Sequence, residues 1–164
     1  GIELATNWTD NKKLNIGFNY TLTKSYSGMD CDKPLKDAFG YKSCIDLSNG
    51  WTDSAMVRVP VHAFSSKIKY DFNKNLNSSL LLTYKGRTRD YGTANQGCDY
   101  GSTNCYRDQI LDEYFLVDLA SSYKISDGYN LNLSIKNLFD KDYENSNLYT
   151  GTPQAMNIGL KKSF

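Results

Sequence analysis

Four cysteines, one histidine and a scatter of carboxylates and aromatics are the residues of this chain whose types could do chemistry. Cys31, Cys44, Cys98 and Cys105 can pair in any of the three connectivities that four half-cystines allow. They could instead bind zinc, but no Cys-x-x-Cys spacing exists and His62, the only histidine, lies on another segment. As a general base His62 would need a nucleophile and an orienting partner, and no Ser/His/Asp or paired-carboxylate motif supplies them. A polar place at the end of a strand suits it better. Asp30, Asp32 and Asp37 fall in one stretch, and Asp99, Asp108 and Asp112 in another. They could gather calcium, but without the twelve-residue calcium-loop pattern they read as solvated loop charge. There is no glycine-rich phosphate loop. The chain reads as a non-enzyme with no cofactor. Trp51, Tyr91, Tyr100, Tyr106 and Tyr149 offer flat faces on which a ligand could stack, or which could simply pack their own loops.

The segments between these stretches alternate with a period of two. Leu14, Ile16, Phe18, Tyr20 and Leu22 share one face, against Asn15, Gly17, Asn19, Thr21 and Thr23. Met156, Ile158, Leu160 and Phe164 oppose Asn157, Gly159, Lys161 and Ser163. Leu131, Leu133, Ile135 and Phe139 do the same, as do Phe115, Val117, Leu119, Tyr123 and Ile125. Leu76 to Lys85 is less clean, because Leu80, Leu81 and Leu82 occupy both faces. Met56 to Phe72 alternates only in its second half, and Pro60 predicts a bulge or an unpaired stretch in the first. With Ile2, Leu4 and Trp8 the count is about seven strands. No stretch repeats apolar residues at helical spacing, so the chain is all-β.

The connections alternate too. The turns near Thr9–Lys13, Asn73–Asn75 and Ser126–Asn130 are tight, whereas Ser27 to Ala55, Gly86 to Asp112 and Asp140 to Pro153 are long. Short turns on one rim and long loops on the other are what an antiparallel up-and-down transmembrane β-barrel requires. The mean hydropathy of −0.57 does not oppose this, because only the lipid-facing half of such a strand is apolar. No apolar run reaches the roughly 18 residues a spanning helix needs. Nineteen Lys+Arg against 18 Asp+Glu give a net charge of +1, which makes no electrostatic case for nucleic acid. The 13 tyrosines suit the two aromatic girdles of a barrel, with Tyr26, Tyr84 and Tyr149 towards the outer rim and Tyr70, Tyr123 and Tyr129 towards the inner. Lys162 is placed to lift its ammonium into inner headgroups. All four cysteines then sit in outer loops of an envelope protein, which folds in an oxidising compartment. The local pairs Cys31–Cys44 and Cys98–Cys105 need no contact between loops and are favoured. Each would contribute about 2–3 kcal/mol on the chain-entropy model, either pre-ordering a ligand-facing loop or only resisting proteases.

Asn137-Leu138-Phe139-Asp140-Lys141-Asp142-Tyr143 resembles the NLFDKxY segment before the last strand of TonB-dependent outer-membrane receptors. Gly1-Ile2-Glu3-Leu4, Arg58-x-Pro60-x-His62 and the VDLAxxY-like run from Val117 to Tyr123 resemble further elements of that superfamily, in family order. The alternating end at Phe164 resembles the signal read by the barrel-assembly machinery. Two departures stand out: the arginine usual before the last strand is absent, and Lys162 replaces an apolar residue. The vitamin B12 and catecholate-siderophore receptor branches look most similar.

The resemblance implies that residues 1–164 are the C-terminal portion of a larger barrel in the bacterial outer membrane, about seven strands that alone would form an open sheet. The plug and earlier strands would lie upstream, since the chain opens directly on strand sequence with no signal peptide. The resemblance further implies uptake of a scarce nutrient, such as an iron-siderophore, another small metal chelate or cobalamin. Its partners would be outer-membrane lipid, the TonB complex acting through the upstream region, and the barrel-assembly machinery. The alternatives are a passive porin-like barrel and a secreted soluble β-sandwich binding module.

Overall fold

A computed structural model describes residues 1–10, 13–24, 57–90 and 109–163. Cys31, Cys44, Cys98, Cys105, Trp51, Tyr91, Tyr100, Tyr106, Tyr26 and Phe164 lie outside the described residues, as do the carboxylates from Asp30 to Asp37, Asp99 and Asp108.

Seven long strands form one antiparallel sheet. They are β1 (Ile2–Asp10), β2 (Leu14–Leu22), β3 (His62–Asp71), β4 (Leu76–Lys85), β7 (Tyr114–Ser126), β8 (Tyr129–Lys136) and β11 (Ala155–Lys162), each paired with its sequence neighbour among them. The remaining elements make two short ribbons, β5 (Thr88–Asp90) with β6 (Gln109–Leu111) and β9 (Glu144–Ser146) with β10 (Tyr149–Thr150). The sheet is open, ending on β1 at one side and β11 at the other.

Register turns the sequence alternation into two chemically distinct faces. One cross-strand row runs Trp8, Ile16, Ile68, Leu80, Leu119, Ile135 and Met156 through all seven strands. The adjacent row, one residue along each strand and therefore on the opposite face, runs Thr9, Asn15, Lys69, Ser79, Ala120, Ser134 and Asn157. Among the described residues nothing packs over the apolar face. Among the described residues the buried hydrophobic side chains are Leu111 and Val117, whereas Trp8, Met156, Ile158 and Leu160 are 54–65% exposed. Ile16, Phe18, Leu133 and Ile158 thus do not converge on a dry interior, as a β-sandwich would require. A single layer with a bare apolar face is stable only against lipid.

Local chemistry fits that solvent. The serine hydroxyls on the apolar face are satisfied within the sheet, as hydrocarbon demands: the Ser78 and Ser121 hydroxyls lie 2.7 Å apart, and Ser66 Oγ donates to the Gly17 carbonyl at 3.0 Å. An aromatic row, Tyr20, Phe64, Tyr84 and Phe115, crosses β2, β3, β4 and β7 on the long-connection side. Within it Phe64 stacks on Tyr84 at 5.4 Å. Near the short-turn rim Tyr70 meets Phe72 edge-on at 4.8 Å, and the Lys162 ammonium sits 5.2 Å from the Tyr129 ring centroid.

The short turns use ordinary turn chemistry. Asn73 Oδ1 accepts from the Asn75 and Leu76 amides at 2.8 and 2.9 Å. Gly128 takes φ 83°, open to a residue without Cβ. The structure meets the sequence expectation in one of three places and departs from it in the other two. Strand β3 begins only at His62, leaving 57–61 outside the ladder, in accord with Pro60. Phe139 does not continue the apolar face of β8 but turns out beyond it, 74% exposed. The long connections 86–112 and 140–153 are not wholly irregular, because β5/β6 and β9/β10 form within them.

Candidate functional site

The three long connections leave the sheet at one rim, where one knot of polar contacts ties them together and a second closes the last of them. The first centres on Asp90, the last residue of β5, whose side chain is fully buried. Its Oδ1 accepts from Arg58 Nε at 2.8 Å, and its Oδ2 from the Asn147 amide at 2.7 Å. Arg58, from the connection between β2 and β3, also donates its amide to the Arg89 carbonyl at 2.7 Å. One carboxylate therefore gathers backbone or side chain from all three connections, through charge-assisted bonds of the stronger kind.

The same ribbon is held a second time. Tyr114 Oη donates to Asn145 Oδ1 at 3.0 Å, and Lys85 Nζ lies 3.4 Å from the Asn145 carbonyl. Tyr114 also packs on Tyr143, ring centroids 4.5 Å apart. The Tyr143 ring in turn lies against Gly151, where any Cβ would run into it. Gly151 is required there by close approach. Tyr114, Tyr143 and the carboxylates Glu113, Asp142 and Glu144 line a cleft of about 580 Å³. Arg87 Nε clamps Glu113 at 2.7 Å. The Glu113 carboxyl is held below its usual range, first by its own backbone amide and then by Arg87. Its stabilising charge is therefore fully present above the ordinary glutamate range and is lost only as pH falls through the lowered value.

The second knot is the Asn137–Tyr143 segment. Asn137 is buried at φ 48°, a left-handed conformation that asparagine tolerates. Its Nδ2 donates to the Lys141 and Thr152 carbonyls at 2.9 and 3.1 Å, and its Oδ1 accepts from the Lys141 amide at 2.9 Å. Its own amide donates to Asp118 Oδ1 at 2.8 Å. Asp140 Oδ1 accepts from the Gln154 amide at 2.8 Å, and Gln154 Nε2 donates to the Leu138 carbonyl at 2.7 Å. This motif closes the last hairpin onto β7, and its role is architectural.

Tyr149 opens β10 at the hairpin tip, 70% exposed beside Leu148 at 72%. Leu148 has φ 66°, a conformation that costs a non-glycine residue about 1–2 kcal/mol. His62 heads β3 with Nδ1 2.8 Å from Tyr20 Oη, a polar pair at the end of the aromatic face. Asp112 lies 3.8 Å from Arg87, and no group of three or more metal-ligating side chains occurs among the described residues. Asp90 was not legible in sequence: a single aspartate in a polar run gives no sign that partners 32 and 57 residues away will bury it. Arg58 had a signal, its place in the Arg-x-Pro-x-His element.

Comparison with known proteins agrees with this architecture. A family model described as "TonB dependent receptor-like, beta-barrel" matches residues 1–138. The vitamin B12 transporter BtuB of Vibrio cholerae is 43% identical over 53 residues, covering 31% of this chain and 9% of that protein. The iron-regulated outer membrane virulence protein of V. cholerae is 22% identical over 108 residues, covering 66% and 15%. Among solved structures, the siderophore receptor PirA of Acinetobacter baumannii superposes with a TM-score of 0.69 at 21% identity, covering 99% of this chain and 21% of its own. The pyoverdine outer membrane receptor FpvA of Pseudomonas aeruginosa gives 0.69 at 16% identity, with 99% and 21% covered. At these identities the structural likenesses establish the fold. The chain spans about a fifth of those solved receptors and less of the curated relatives. The match over residues 1–138, carried by a lipid-facing seven-stranded sheet, places the chain in the TonB-dependent receptor β-barrel family of the bacterial outer membrane.

Proposed function

We propose that this sheet is the C-terminal wall of a receptor that takes up a scarce nutrient, an iron-siderophore, cobalamin or a similar chelate, with energy from the TonB complex. The long connections face outward, the polar face lines a lumen, and the plug and remaining strands belong to sequence upstream of Gly1. The reading is carried by one observation: an open single-layer sheet, apolar on one face and polar on the other, with its long connections interlocked at one rim. A passive pore has less need of such a built rim. The names of the relatives, a vitamin B12 transporter and siderophore receptors, support the ligand class. Tyr149 is the described residue assigned to ligand contact under this reading. Trp51, Tyr91, Tyr100 and Tyr106 join it as proposed contacts, with Cys31–Cys44 and Cys98–Cys105 as loop bridges and Phe164 as the assembly signal.

The test uses the full-length receptor with three probes: a ferric catecholate, a ferric hydroxamate and cyanocobalamin. One of them is expected to bind the purified receptor saturably and to enter cells only when TonB is present. Entry of small solutes at the same rate with and without TonB, and no saturable binding, would move the assignment to a passive barrel.

A further inference from the structure

The β9/β10 hairpin is restrained beyond what its two-residue turn, Asn147-Leu148, needs. Leu148 occupies the positive φ that the second position of a tight turn can require, and a leucine holds it at a cost that contacts below the turn offset. Yet Leu148 and Tyr149 are among the most exposed large side chains of the described residues, so the restraint acts from below the tip. It comes from Asp90, fully buried, which accepts the Asn147 amide at 2.7 Å while pairing with Arg58. The grip of Tyr114 and Lys85 on Asn145 adds to it. Hydrogen bonds to a desolvated carboxylate are strong and directional. The outcome is an adjacent pair of apolar side chains held out from a polar rim, in a fixed backbone geometry.

We propose that Asp90 is a positioning residue for solute capture: it holds the Leu148–Tyr149 tip as a preformed apolar contact at the barrel mouth and, through Arg58, ties that tip to the connection between β2 and β3. A contact fixed before binding spares the ordering cost that a flexible loop pays on closing over its solute. The solute class it fits carries an apolar or aromatic surface that can cover both side chains. This inference rests on the uptake reading above, and the experiment separates the two.

Full-length receptor in detergent is compared with Asp90→Asn, Tyr149→Ala and the double variant, each first shown to keep the heat-modifiable gel mobility of a folded barrel. Hydrogen exchange followed by mass spectrometry reads the tip without any ligand. Exchange in peptides spanning 144–150 is expected to quicken about tenfold or more in Asp90→Asn, with peptides from β11 unchanged. Binding of the ferric catecholate, ferric hydroxamate and cyanocobalamin probes supplies the second readout. Asp90→Asn and Tyr149→Ala should each weaken the bound probe roughly tenfold, and the double variant should be weaker than Tyr149→Ala alone by clearly less than the loss Asp90→Asn causes by itself, the remainder being the Leu148 contact. A merely structural aspartate would give additive losses. Unchanged exchange at 144–150, or losses that add, overturns the proposal. If no probe binds wild type, the uptake reading fails and the exchange result alone judges the clamp. If Asp90→Asn does not fold, Arg58→Gln carries the same two readouts.

Discussion

At the scale of single residues, the side chains that matter most are those whose polar atoms are spent inside the protein. Asn137 uses its carboxamide three times, always on backbone groups of the last connection, and does so from left-handed φ. Two separate requirements are thus superposed on one residue, and substitutions can divide them. Asn137→Ala loses the bonds and meets the conformational penalty as well, for a cost of about 2–4 kcal/mol. Asn137→Gly keeps the conformation and loses only the bonds, so it should fall between alanine and wild type. Urea unfolding of the full-length receptor in detergent, followed by heat-modifiable mobility, orders the three. Alanine and glycine variants of equal stability would show that the left-handed φ is not part of the constraint.

Elements obey a different logic, in which no single residue matters as much as its parity. The seven long strands were legible in the sequence because alternation is a local signal: Leu14 to Leu22 states which face meets lipid without reference to any partner. Even the ambiguous run of Leu80, Leu81 and Leu82 resolves on pairing, since Leu80 and Leu82 join the apolar rows while Leu81 stands on the polar face opposite Lys67 and Asp118. The short ribbons were not legible. Thr88–Asp90 has three residues and pairs with Gln109–Leu111, so its existence depends on a distant partner and not on a pattern of its own. The Asn137–Tyr143 motif was legible as a block, but its chemistry was not, because the Asp118 carboxylate that anchors it lies on another strand. Parity makes a sharp prediction. Leu80→Lys places an ammonium on the lipid face in the middle of β4 and should cost about 2–4 kcal/mol of folding stability in lipid vesicles. Ser79→Lys, one residue away, points into the polar face and should change stability by less than about 0.5 kcal/mol. Equal costs in a denaturant titration of the full-length receptor would mean that the apolar face does not meet hydrocarbon.

For the whole molecule, the decisive feature is that the sheet has two edges and, among the described residues, no layer packed against its apolar face. Among the described residues, strand β1 offers one unpaired side of its backbone, β11 offers the other, and the apolar face between them is bare. Backbone groups in a membrane must all be paired, and a barrel meets that condition only by closing. Seven up-and-down strands would bring β1 and β11 together in parallel, which an antiparallel ladder cannot accept. Closure therefore calls for further strands, consistent with the proposal that they lie upstream of Gly1. Residues 1–164 produced alone and refolded into detergent should give no heat-modifiable monomer. Instead they should associate through their edges and stay sensitive to protease. Adding the remaining strands of the receptor as a separate polypeptide should restore a folded band of the combined size, because both edges then find partners. A protease-resistant monomer from residues 1–164 alone would require the sheet to close on itself, and would remove the basis for reading it as one wall of a larger barrel.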